Sequence, residues 1–128
     1  MKVPTVLVVE NEDVVRNLVQ TILRISGFEV AAFATGEEAL ERLEVQDGFI
    51  PLLITDVDLG PSLDGIELVN ALRALYPPMQ ILYISGQDNE TVSREVATGQ
   101  AYFLPKPFTP RGLTEKVTAI LSRHFALV

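Results

Sequence analysis

Five short apolar runs recur along the chain, each followed by a segment with helical spacing, and this alternation limits the possible folds severely. The first run, Thr5-Val-Leu-Val-Val9, is β-branched and uninterrupted, the signature of a strand covered on both faces. Asp13 to Ile25 follows with apolar residues at 14, 15, 18, 19, 22, 23 and 25, and Gly27 closes it in the usual C-terminal position. Phe28 to Phe33 alternates less cleanly and reads as a short outer strand. Thr35-Gly-Glu-Glu38 has capping-box spacing and opens a second helix that ends near Gly48. Ile50-Pro-Leu-Leu-Ile54 is a buried-strand run that stops at Thr55-Asp56. Gly60-Pro61 and Asp64-Gly65 punctuate a loop, Ile66 to Leu75 is helical, and Pro77-Pro78 ends it. Ile81-Leu-Tyr-Ile84 is a strand ending at Ser85-Gly86. Gln87 to Thr98 is a polar helix with thin core contact, and Ala101 to Leu104 is the last strand. Thr109 caps, and Pro110 opens, a closing helix with its stripe at Leu113, Val117, Ile120 and Leu121. Five strands alternating with five helices predict an α/β fold, a (βα)5 doubly wound parallel sheet with helices on both faces.

Length and charge narrow what such a sheet could serve. The 128 residues suffice for one domain with a sizeable core and are too few for two ordinary ones, so a single domain over 1–128 is expected. A formal charge of -7 argues against unassisted binding to nucleic acid or anionic lipid. The absence of cysteine excludes disulfides and thiolate metal sites. Neither a signal peptide nor an apolar stretch near the ~20 residues of a membrane span is visible, so a cytoplasmic location is expected.

In an open α/β sheet, ligands bind beyond the carboxyl ends of the strands. Those ends carry Glu10-Asn11-Glu12-Asp13, Thr55-Asp56-Val57-Asp58, Ser85-Gly86 and Pro105-Lys106-Pro107. Four segments therefore deliver acids, a hydroxyl and a lysine to one edge. Two unit charges at ~4 Å repel by about 4 kcal/mol at an effective dielectric of 20, so a carboxylate cluster invites a cation. Oxygen donors without histidine or cysteine suit Mg2+ (or Mn2+), which neutralises a transferring phosphoryl group. Lysine supplies a second positive clamp, serine can bond a phosphoryl oxygen, and a carboxylate between them can accept the group as an acyl phosphate.

These motifs, in this order, resemble the receiver domain of bacterial two-component response regulators. The resemblance rests on Val8-Val9-Glu10-Asn11-Glu12, Leu53-Ile54-Thr55-Asp56, Asp64-Gly65, Ile84-Ser85-Gly86 and Phe103-Leu104-Pro105-Lys106-Pro107-Phe108. It spans nearly the whole chain, and Tyr83 through Phe108 most resembles receivers attached to hybrid sensor histidine kinases. The resemblance implies a flavodoxin-like sheet with strand order 2-1-3-4-5. It implies Asp56 as phosphoacceptor from a phosphohistidine, with the metal held by Glu10 or Asn11, by Asp56 and by the backbone carbonyl of Asp58. It further implies Lys106 on the phosphoryl group, Ser85 moving toward it, Phe103 as the rotating aromatic, and a cis Lys106-Pro107 bond. Expected partners are a sensor histidine kinase or histidine phosphotransfer protein and a downstream protein or parent-chain domain. Output would run through the fourth helix, fifth strand and fifth helix, and a homodimer through the last helix and strand is compatible with the family.

The sequence departs from the commonest pattern at three points. Asn11 stands where a second acid is usual, and Glu12 or Asp58 could compensate. The loop from Leu59 to Leu63 looks about one residue longer than usual, which would alter the pocket rim. Phe103 lacks the hydroxyl of the tyrosine often found there, and it could also serve only as core. Asp58 and Gln87, each two residues past a key side chain, could tune hydrolysis of the acyl phosphate or be ordinary loop residues. His124, near the end of the last helix, has no catalytic role. The first helix has more apolar residues than one buried stripe requires, so Val14, Leu18 and their neighbours form either a docking patch for a kinase or phosphotransfer helix pair or part of a wide core face.

Two other functions compete. A haloacid-dehalogenase-type phosphatase also uses an Asp-x-Asp at a strand end, here Asp56-Val-Asp58. Its second acid cluster should follow Lys106, where only Glu115 remains, and the chain has no room for a cap domain. A pseudo-receiver, acting only as an interaction module, would be consistent with Asn11. On the preferred reading the chain is a signalling phosphoacceptor and not an enzyme with an external substrate.

Overall fold

A computed structural model describes residues 5–43, 50–61 and 63–125. The elements run β1 (Thr5–Val9), α1 (Asp13–Ile25), β2 (Glu29–Phe33), α2 (Gly36–Leu43), β3 (Leu52–Asp56), α3 (Gly65–Leu75), β4 (Gln80–Ser85), α4 (Glu90–Ala97), β5 (Tyr102–Pro105) and α5 (Pro110–Phe125). All strand pairs are parallel, and the sheet order is β2-β1-β3-β4-β5. Both the alternation and the strand order match the expectation from sequence.

The uninterrupted apolar runs follow from burial on both faces. Val6, Val8, Ile54, Leu82 and Ile84 point into one layer, shared with Val19, Leu23, Leu113 and Val117 of α1 and α5. Leu7, Val9, Leu53, Ile81 and Tyr83 point into the other, with Ala39, Leu68, Leu72 and Val92 of α2, α3 and α4. Every residue of β3 is buried, as expected at the centre of a doubly wound sheet. Each fully buried leucine or isoleucine contributes about 1.5–3 kcal/mol of transfer free energy, so these two layers are the main source of stability.

Local signals set the helix ends. Gly27, with φ +96°, takes the left-handed conformation that follows α1. Thr35 Oγ1 accepts from Glu38 N at 3.1 Å, and Thr109 Oγ1 accepts from Gly112 N at 2.9 Å, so both caps form. The predicted end of the second helix near Gly48 lies outside the described residues. The fourth helix is shorter than predicted. It begins at Glu90 because the Asn89 side chain accepts from Val92 N at 3.1 Å, leaving Gln87 and Asp88 in the connecting loop. α3 begins one residue earlier than predicted, behind a full capping box between Asp64 and Glu67.

Register places the functional edge. Val9, Thr55, Tyr83 and Phe103 lie in one row across the sheet. The residues just beyond that row, including Glu10 and Asp56, therefore emerge together at the carboxyl edge.

Candidate functional site

Pairing continues briefly past the strand ends and fixes the backbone of the site. Glu10 N donates to Phe33 O at 3.0 Å, and Lys106 N donates to Ser85 O at 2.9 Å. Arg16 Nη1 donates to Glu10 O at 2.9 Å, tying the first turn of α1 to the end of β1. Gly65 N donates to Val57 O at 2.8 Å, which draws the start of α3 onto the backbone beneath Asp56. A β-carbon at position 65 would lie 2.1 Å from Asp56 O, so only glycine allows this approach.

The side chains then converge. Lys106 Nζ donates to Asp56 Oδ2 at 2.9 Å, to both Glu10 carboxylate oxygens at 3.2 Å and to Glu12 Oε1 at 3.3 Å. Asp56 Oδ1 accepts from Asp58 N at 3.1 Å, so each Asp56 oxygen has a donor. Glu10 has no exposed surface and Asp56 is buried, whereas the Glu12 side chain is 62% exposed. Three carboxylates around one ammonium leave a surplus of negative charge when all are ionised. Burial, followed by the negative charge of Asp56, pushes the Glu10 carboxyl up to about 7, although Lys106 draws it down. Burial lowers the Lys106 ammonium, but its bonds to Asp56 and the charge of Glu10 outweigh this and carry it to about 12.

The carboxylates of Glu10, Glu12 and Asp56 each offer an oxygen within 4.8 Å of the others. An all-oxygen set with surplus negative charge fits a hard divalent cation. The Glu12 carboxylate, one of the two acids expected to compensate for Asn11, belongs to this cluster. It lies two residues past Glu10, and alternate residues of an extended segment share a side. Asn11 and Asp58 are exposed, and the Asp58 carboxylate lies outside the cluster.

Ser85 is buried at the end of β4, and its hydroxyl is engaged locally. It donates to Gln87 O at 3.1 Å and accepts from Gln87 N at 3.2 Å. The Gln87 side chain is exposed. Phe103 is half-buried against the α2-α3-α4 layer, and it lines a cavity of about 270 Å3 with Asp88, Val92, Ser93, Val96 and Ala97. The Lys106-Pro107 bond is cis. Val14 and Leu18 on α1 are exposed, as is Ile25 at 82%. His124 lies at the surface near the end of α5, where its Nε2 meets the Tyr102 hydroxyl at 2.6 Å.

Residues 6–118 match the family model described as the response regulator receiver domain. The chain belongs to the response regulator receiver family. This receiver is 34% identical over 121 residues to the sensor kinase CckA of Brucella abortus, covering 94% of this chain and 13% of that protein. It is 36% identical over 121 residues to the alkaline phosphatase synthesis transcriptional regulatory protein PhoP of Bacillus subtilis, covering 92% and 48%. A solved receiver domain protein from Methanospirillum hungatei superposes with a TM-score of 0.85 at 27% identity, covering 96% and 97%. The chain thus spans less than half the length of these two curated relatives. Receivers are signalling domains of two-component systems. Among the described residues of this one, no helix is long and apolar enough to cross a membrane.

Proposed function

We propose that this receiver is a phosphoacceptor in a two-component phosphorelay, with Asp56 taking the phosphoryl group from a phosphohistidine. The observation that carries the reading is the Asp56 carboxylate itself. It is buried at the centre of the edge, with Lys106 at 2.9 Å and Glu10 and Glu12 beside it. An Asp56 oxygen attacks phosphorus, the P–N bond breaks, and the imidazole nitrogen leaves with the electron pair. The product is an acyl phosphate.

Lys106 is placed to transfer its hydrogen bonds from carboxylate to phosphoryl oxygens, where charge develops. Glu10, Asp56 and Glu12 would hold Mg2+ or Mn2+, with Asn11 and the Asp58 carbonyl as further oxygen donors. When bound, that cation neutralises phosphoryl oxygens. Ser85 would exchange its bonds with Gln87 for one to the phosphoryl group. Phe103 would turn into the adjoining cavity and alter the face formed by α4, β5 and α5. Asp58 and Gln87, exposed at the rim, would set access of water to the acyl phosphate. The exposed apolar residues of α1 suit a kinase or phosphotransfer helix pair, while the output face suits a downstream protein, a parent-chain domain or a second copy. A cytoplasmic setting fits these partners.

The test is incubation with Mg2+ and acetyl phosphate, read by intact mass. Wild type should gain one phosphoryl adduct, and Asp56→Asn should gain none. Asn11, uncharged and exposed, favours the pseudo-receiver as second reading. A wild type that takes up no phosphoryl group would end the phosphoacceptor reading and favour that alternative.

A further inference from the structure

A second buried polar cluster lies away from the carboxyl edge, on the α3–β4–α4 side. Tyr83 of β4 has no exposed surface, and its hydroxyl donates to Glu95 Oε1 at 3.2 Å and Oε2 at 3.3 Å. Glu95 is buried on the inner side of α4, where a carboxylate is unusual. Arg73 of α3 reaches Glu95 Oε1 at 2.8 Å and also donates to Gln100 O at 2.6 Å, beyond the end of α4. Gln100 N in turn donates to Glu95 O at 2.8 Å. The Glu95 carboxylate thus joins α3, β4 and α4, and Arg73 together with the Glu95 backbone carbonyl ties in the turn toward β5.

The rest of α4 contributes little anchorage. Its eight residues bury only Val92 and Glu95, while Val96 is 40% exposed. Its other ion pair, Arg94 with Glu90 at 3.9 Å, stands in solvent. Val92 and the hydrogen-bonded Glu95 are therefore the two buried anchors of this helix. The opposite end of α4 is connected to the phosphoacceptor site. Asn89, which caps the helix, lies only two residues beyond Gln87, whose backbone holds the Ser85 hydroxyl. Tyr83 and Ser85 are alternate residues of one strand and project to the same face. The Ser85 hydroxyl is thus linked through Gln87 to the segment that enters α4, while Tyr83 and Arg73 hold the other end through Glu95.

We infer that Tyr83, Glu95 and Arg73 form a latch that holds α4 in the unphosphorylated state and sets the balance between that state and the switched one. This rests on the switching reading proposed above. Releasing the latch shifts population toward the switched state and, by linkage, tightens binding of a phosphoryl analogue.

The experiment compares wild type with Tyr83→Phe, which removes one oxygen and keeps the ring, and with Glu95→Gln. Arg94→Ala, in the exposed pair of the same helix, is the control. Amide exchange in 90–97 should quicken about tenfold in the two latch variants and stay at the wild-type rate in the control. Their dissociation constants for beryllofluoride with Mg2+ should fall severalfold. Unchanged exchange in 90–97 in both variants overturns the latch. Faster exchange with unchanged analogue affinity overturns its role in switching. Failure of wild type to bind beryllofluoride strikes the phosphoacceptor reading instead, and the exchange comparison alone then decides whether α4 is latched.

Discussion

The Lys106 ammonium bonds the same three carboxylates that are proposed to hold a divalent cation, so on that reading the two compete for them. A unit charge pair at ~4 Å is worth about 4 kcal/mol at an effective dielectric of 20, and less where Glu12 meets solvent. Lys106→Met should therefore tighten Mg2+ binding by about tenfold in titration calorimetry, even as it removes the clamp on the phosphoryl group. Weaker Mg2+ binding in that variant would show that the ammonium organises the carboxylates for the ion. Gly65 makes a different demand on the same pocket. An added β-carbon must displace the Asp56 carbonyl, so Gly65→Ala should cost about 1–3 kcal/mol in urea unfolding. Its phosphorylation by acetyl phosphate should slow as well, because Asp56 moves. The acids and the lysine were legible in the sequence because strand ends in a parallel sheet share one edge. The contact that requires Gly65 was not, because it depends on how closely α3 approaches β3.

The elements themselves could be read from periodicity wherever apolar residues were dense. β1, β3 and β4 announce themselves as continuous runs, and α1 by its stripe. α4 was the poorest reading, since it has one buried apolar side chain, and its start depends on whether Asn89 or an earlier residue caps it. Its true anchorage was not legible at all. Glu95 looks like an ordinary surface acid until Tyr83 and Arg73 arrive from two other elements. That arrangement has a pH signature. Burial, and then the negative charge of Glu95, raise the Tyr83 phenol well above its ordinary value. The folded state therefore keeps this proton where the unfolded chain, at about 10, gives it up. Above pH ~10 the folded state binds more protons than the unfolded one, and stability falls with slope up to about 1.4 kcal/mol per pH unit. Below that pH the contribution is fully present. Denaturant unfolding between pH 9 and about 11 should show a steeper decline for wild type than for Tyr83→Phe. Parallel curves would mean that the phenol is not held neutral by its surroundings.

Across the whole molecule, the sheet brings negative charge from distant parts of the sequence to one edge of a chain that already carries -7. Folding therefore works against repulsion at this edge, and a divalent cation that binds only the assembled edge should stabilise the entire domain. Binding to the folded state alone adds RT ln(1 + [L]/Kd), about 2.7 kcal/mol at a hundredfold excess over Kd. For a domain of this size each kcal/mol raises Tm by roughly 3–5 °C, so saturating Mg2+ should lift Tm by about 10 °C over metal-free protein. Asp56→Asn and Glu10→Gln should each lose most of this increment, because each removes a buried charge from the cluster. Glu12→Gln should lose part of it, since that carboxylate is largely in solvent and its field is screened. Sodium at equal ionic strength should give none of the increment, which separates a bound ion from general screening. Scanning calorimetry on the four proteins, with and without chelator, measures all of this. An equal Tm gain in wild type and Asp56→Asn would place the ion elsewhere and remove the metal from the proposed phosphoryl site.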